Sequence, residues 1–162
     1  MQKACFLVTV LASTLTLATA PVALAQSDPA ALLKKHAEAI NRGDAAGSLA
    51  LFADDAVIDG IGRCAEAPCV GKAVIQKELE RQVGDKQHIT ILKQYVSGTV
   101  LTGRAELRSD TIKKAGVERV ISWGIFETKD EKIAYARIGI ADRSDPQTAR
   151  FDEWLRAQPP AR

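Results

Sequence analysis

Three kinds of side chain in this sequence are placed where they could do chemistry: an imidazole, a carboxylate and a pair of thiols. His36 recurs with Leu32, Leu33 and Ile40 at three- and four-residue spacing, so it shares the apolar face of a helix. It is either a core histidine bonded to a carbonyl or carboxylate, or a pocket donor or general base. Asp59 closes a short strand that runs from Ala56. At a strand end it is simply solvated; turned inward, burial would raise its pKa and make it a usable base. Facing each other, His36 and Asp59 would form a pair able to move protons near neutral pH. His88 begins a strand after a polar turn and reads as a surface residue. Arg104, Glu106 and Arg108 alternate along one strand face, the pattern of a solvated sheet surface or of cross-strand ion pairs. The sequence carries no HExxH pattern, glycine-rich phosphate loop, serine elbow or calcium loop, and neither a cofactor nor a metal is expected.

The thiols depend on where the chain resides. Residues 1–25 read as a cleaved secretory signal: Lys3 is their only charge, Cys5 to Leu17 is an apolar run, and Ala23-Leu24-Ala25 is a small-x-small cleavage pattern. Thr14, Thr16, Thr19 and Pro21 interrupt the ~18 unbroken apolar residues a membrane anchor needs. The mature protein is expected to begin near Gln26, to be periplasmic or secreted, and to keep no membrane anchor. Cys5 leaves with the signal, so Cys64 and Cys69 remain as a pair. In an oxidising compartment such a pair closes a local disulfide. A metal site would want further Cys or His nearby, and a redox dithiol spaces its thiols by two residues.

Composition narrows the class. The 162 residues are 46% hydrophobic and 26% charged, enough for one domain with a real core. With 22 Lys and Arg against 20 Asp and Glu, the net charge of +2 is too weak and mixed for a nucleic-acid partner.

The elements that must position these side chains are legible in the hydrophobic period. Asp28 and Pro29 begin a helix that runs to Asn41; Gly43 stops it, and Asp44 caps a second helix ending near Phe52. A turn at Ala53-Asp54-Asp55 precedes the Ala56–Asp59 strand and the cysteine loop. Gly71 to Val83 is a third helix, with Val74, Ile75, Leu79 and Val83 on its apolar side. After Gly84 the period becomes alternating. Strands are expected at His88–Val96, Thr99–Arg108, Val117–Thr128 and Lys132–Ala141, the last two as a hairpin. In the last strand Ala134, Ala136, Ile138 and Ile140 fall on one face, with Tyr135 and Arg137 on the other. Asp145-Pro146 opens a C-terminal helix. Helices first and antiparallel strands after make the fold α+β.

This order of elements, with Leu51-Phe52-Ala53-Asp54-Asp55-Ala56-Val57 and Gly71-Lys72-Ala73-Val74-Ile75 at its landmarks, resembles the SnoaL-like, NTF2-like superfamily. The resemblance implies a cone: N-terminal helices packed in a curved antiparallel sheet, with a deep pocket open at one end. With the signal peptide read at 1–25, it implies a SnoaL-like domain at 26–145, followed by a C-terminal helix and tail at 146–162. There is a more distant similarity to ketosteroid isomerases. On it, the tyrosine position falls on His36, the base on Asp59 or Gly60, and the later acid on Ser122, so tyrosine and acid are both replaced.

The resulting expectation is an exported protein that binds a small, mostly apolar molecule in the cone. Leu33, Ala136, Ile138 and Ile140 would form its walls, and His36, Asp59 and Ser122 would supply the polar contacts. The disulfide loop would form part of the rim. The alternative is a cofactor-free isomerase, dehydratase or cyclase with Asp59 as base and His36 as donor. Trp123 and Tyr135 on the outer sheet face would suit a homodimer contact.

Overall fold

The computed structural model describes residues 28–158. The signal sequence expected at 1–25 lies outside them. The described chain runs through α1 (Pro29–Asn41), α2 (Ala45–Leu49), β1 (Phe52–Asp59), a 3-10 turn at Gly62–Cys64, β2 (Cys69–Val70), α3 (Lys72–Gly84), β3 (His88–Ser97), β4 (Val100–Arg108), α4 (Asp110–Lys114), β5 (Val120–Lys129), β6 (Lys132–Ala141) and α5 (Pro146–Arg156). Six strands form one sheet in the order β2-β1-β6-β5-β4-β3. Neighbours are antiparallel except β1 and β6, which run parallel, so the sheet is mixed.

Helix starts follow from capping. Asp28 accepts from Ala30 N at 2.9 Å and Asp44 from Gly47 N at 2.7 Å, each satisfying an amide the first helical turn leaves free. Ser109 does the same for Ile112 N, which starts α4 inside a stretch the hydrophobic pattern leaves as loop. β1 begins at Phe52, four residues earlier than expected, because Phe52 is drawn fully into the core beside Ile133 of β6. The principal core joins Leu32, Leu33 and Ile40 of α1 to Ile75 and Leu79 of α3 and to the inner sheet face. A smaller cluster, Ile112, Val117 and Val120 with Phe151, fastens α5 to the end of the sheet.

A bulge in β6 alters the side-chain register. Trp123 pairs with Ile140 and Ile125 with Arg137, so three steps on β6 oppose two on β5. Gly139 is within this bulge, at φ +88°. A Cβ there would stand 2.5 Å from Gly60 O, so the close approach of the two backbones requires glycine as well. The extra residue turns Ile140 to the outer face, where it is 40% exposed, and turns Ala141 inward opposite Ser122. Ile140 therefore does not continue the wall begun by Ile138.

Candidate functional site

The inner face of the sheet and the helices enclose two adjoining chambers. The inner one, about 40 Å³, lies between α1 and strands β3 to β6. The outer one, about 320 Å³, is walled by the disulfide loop, α3, α4 and α5. Both are bordered by Ile61, Gln87, Leu107 and Ser122, which mark the passage between them.

Of the residues singled out from sequence, His36, Leu33, Ser122 and Ile138 line the inner chamber, and Arg104 and Trp123 border it as well. Ala136 is fully buried in the core and lines neither chamber. Asp59 is not brought to His36. Ile58 points into the core, so the alternation of β1 sends Asp59 to the opposite face. There it accepts a hydrogen bond from Tyr135 Oη at 3.0 Å and faces Arg137 at 3.7 Å. Burial and the neighbouring carboxylate hold the Tyr135 phenol above its usual pKa. Asp59 is thus a partner of outer-face groups.

His36 is 2% exposed, sits edge-on to Phe52 at 5.8 Å, and places Nδ1 2.8 Å from Ser48 Oγ. Burial lowers its pKa to about 4, so the imidazole is neutral at physiological pH. The Ser48 hydroxyl is fully buried, and His36 Nδ1 is its hydrogen-bond partner. When Ser48 donates and Nδ1 accepts, the ring proton is on Nε2; when Nδ1–H donates to the hydroxyl oxygen, Nε2 is the acceptor. Among the described residues no buried side-chain nitrogen or oxygen lacks a partner, so unpaired Nε2 is open to the chamber that His36 lines. In the tautomer in which Ser48 donates to Nδ1, His36 presents an N–H donor to that space. It is a poor proton acceptor, because protonation would bury a charge.

Gln82 and Gln87 add neutral polar groups to the lining, and Arg104, paired with Asp142 at 2.8 Å, borders the chamber too. The outer chamber adds Arg81, Asp85, Ser109, Thr111 and Asp152 to apolar Phe151 and Leu155. Its carboxylates are engaged: Asp85 accepts from Thr111 N and Oγ1 at 2.9 and 2.8 Å, and Asp152 pairs with Arg143 and Arg156 at 2.6 Å each. Those arginines hold the Asp152 carboxyl below its usual range, against the opposing effect of burial.

Cys64 and Cys69 form a disulfide, and Gly62 and Ala65 in and beside its loop line the outer chamber. Glu78, Arg81 and Gln82 were not singled out by the sequence pattern. The available signal was positional: Glu78 and Gln82 share a helix face with Ile75 and Leu79, where polar residues are unexpected. Among the described residues no cluster of His, Cys, Asp or Glu is arranged to hold a metal, and no helix is long and apolar enough to cross a membrane.

The family model for the SnoaL-like domain matches residues 33–136, from α1 into β6. The chain belongs to the SnoaL-like domain family. Structures with the same fold include an NTF2-like protein of unknown function from Cytophaga hutchinsonii, at 11% identity and TM-score 0.58, covering 75% of this chain and 96% of that one. Another is SalBIII, an epoxide hydrolase/cyclase-like enzyme of salinomycin pyran-ring formation, at 14% identity and TM-score 0.61, covering 72% and 92%. A computationally designed 17-OHP binder aligns at 19% identity and TM-score 0.59, covering 70% and 90%. No curated protein matches the sequence. At these identities the structural likeness establishes the fold of this SnoaL-like chain, and its chemistry must come from its own side chains. Helix α5, which closes the outer chamber, lies beyond the matched segment.

Proposed function

We propose that this SnoaL-like protein is exported and binds a small, mostly apolar molecule that carries a hydrogen-bond acceptor. The acceptor would meet Nε2–H of His36, with Ser122 beside it and Leu33 and Ile138 against the apolar body. The observation that carries this reading is the buried neutral imidazole at the inner end of a largely apolar chamber, a donor there in the tautomer in which Ser48 donates to Nδ1. Such a group orients a carbonyl without needing a counter-charge. The competing proton-transfer reading wants a base within reach of the same space. Asp59 is committed to Tyr135 and Arg137 instead, which favours binding without turnover. The domain would occupy residues 26–145, with α5 and the tail following. The Cys64–Cys69 disulfide is compatible with a protein outside the cytoplasm. A second copy packing on the outer sheet face, which carries Trp123, Ile140 and Tyr135, is part of the same proposal.

The test is to express the whole chain and record its intact mass and native mass. Cleavage after Ala25, a retained small molecule and a dimer mass are the expected results. Titration with 2-alkanones then compares the wild type with His36→Phe, whose ring keeps the volume and removes the donor. Equal binding by both proteins would remove His36 from the site. Turnover of a ketone without exchange of the bound molecule would return the enzyme reading to first place.

A further inference from the structure

The outer chamber contains one cationic group held unusually firmly. Glu78 is fully buried and accepts four hydrogen bonds: from Arg81 Nε at 2.9 Å, Arg81 Nη2 at 2.6 Å, Gln82 Nε2 at 3.1 Å and the backbone N of Arg63 at 3.1 Å. Two parallel bonds lock the guanidinium fork on the carboxylate. The bond to Glu78 also keeps Arg81 above its usual pKa, so it stays charged. The loop backbone lies directly on this pair, for a Cβ at Gly62 would stand 2.6 Å from Arg81 Nη2 and from both Glu78 oxygens. The Cys64–Cys69 disulfide begins immediately after Gly62 and Arg63. The segment that leads into the disulfide, the buried carboxylate and the guanidinium thus form one wall.

Nη1 of Arg81 is not used in this clamp. Arg81 lines the outer chamber with its side chain 35% exposed, and no buried side-chain nitrogen of the described residues lacks a partner. Its free N–H groups are therefore open to that space. We infer that Arg81 is a second polar anchor of the ligand, donating from Nη1 to an uncharged acceptor such as a ketone or ester carbonyl. The inference rests on the binding reading above. It narrows the ligand to an apolar molecule with carbonyl-type acceptors toward both ends, one for each chamber.

Local charge selects an uncharged acceptor over an anion. Glu78 offsets the charge of Arg81, and Asp85 lines the same chamber. Asp152 is matched by Arg143 and Arg156. A carboxylate entering here would meet a guanidinium already paired and two fixed carboxylates close by. A carbonyl takes the free N–H without that repulsion.

Isothermal titration of the purified protein tests this with two matched probe sets, the 2-alkanones of seven to eleven carbons and the diketones of the same lengths carrying a second carbonyl one carbon from the far end. The corresponding keto acids form a third set. The best diketone should bind about tenfold more tightly than its monoketone, the contribution of one charge-assisted hydrogen bond, and the keto acid no more tightly than the monoketone. The double variant Glu78→Gln/Arg81→Met removes both charges together, so that no lone buried charge is left. It should bind the two ketones equally. Circular dichroism checks its fold; if it does not fold, Arg81→Lys serves, since a compact ammonium on Glu78 lacks the second edge of the fork. A diketone preference that persists in the folded variant overturns the inference. So does a keto acid that outbinds the diketone. Monoketone binding that is lost in His36→Phe, with no diketone advantage in the wild type, overturns the role of Arg81 and leaves the binding reading standing. No ketone binding in the wild type overturns both.

Discussion

Acid should destabilise this protein through a single buried histidine, and the size of the effect follows from where His36 sits. The folded-state pKa is lowered by burial to about 4, against 6.5 for a free imidazole. Below pH 6.5 the unfolded chain takes up a proton at His36 that the folded chain refuses. Stability from this residue is therefore fully present above pH 6.5 and is lost as pH falls toward 4. With those two values, lowering the pH from 7 to 4.5 costs roughly 2 kcal/mol. The perturbation that isolates it is His36→Phe, which keeps a ring against Phe52. That variant orphans the Ser48 hydroxyl, at a cost of about 1–3 kcal/mol that does not vary with pH in this range. Urea unfolding of both proteins at pH 7 and 4.5 gives four free energies. Carboxylates such as Asp142, Asp145 and Asp152, all held below their usual range, weaken both proteins equally in acid and cancel. The wild type should lose roughly 2 kcal/mol more than the variant. Equal acid losses would mean that His36 takes up its proton in the folded state, and the neutral-donor argument would fall with it.

Two further outcomes test the walls of the site. Gly139→Ala should destabilise the protein by about 2 kcal/mol or more, because alanine must adopt φ +88° and its Cβ meets Gly60 O; urea unfolding would detect it, and a neutral result would refute the bulge as drawn. Replacing both Cys64 and Cys69 by Ser should cost about 2 kcal/mol from loop entropy and should weaken diketone more than monoketone binding, because the loop seats Arg81; unchanged selectivity would separate the disulfide from the clamp.

Much of this molecule was legible in local pattern. The capped helices at Asp28 and Asp44, the apolar face carrying His36, the β5–β6 hairpin and the α+β order all depend on spacing and turn chemistry within a few residues. The cysteine pair was also readable, since five residues of separation leave few alternatives once both thiols are oxidised. The family resemblance matched because it rests on this same order of elements.

Tertiary structure decided which way the strand residues point and which helix side chains meet. Asp59 could have faced either side of β1; pairing with β6 and burial of Ile58 turned it to Tyr135 and Arg137. Ile140 followed the alternation of its strand until Gly139 added one residue, and a single extra residue reverses every side chain beyond it. The hydrogen-bond partner of His36 is Ser48, twelve residues away on another helix. The clamp at Arg81 waited on the loop fifteen residues earlier folding back onto Glu78. Local spacing determines which face a residue shares with its neighbours, because that is set by bond geometry within one element. What that face meets is set by packing between elements, and in this protein that packing chose the groups that line the chambers.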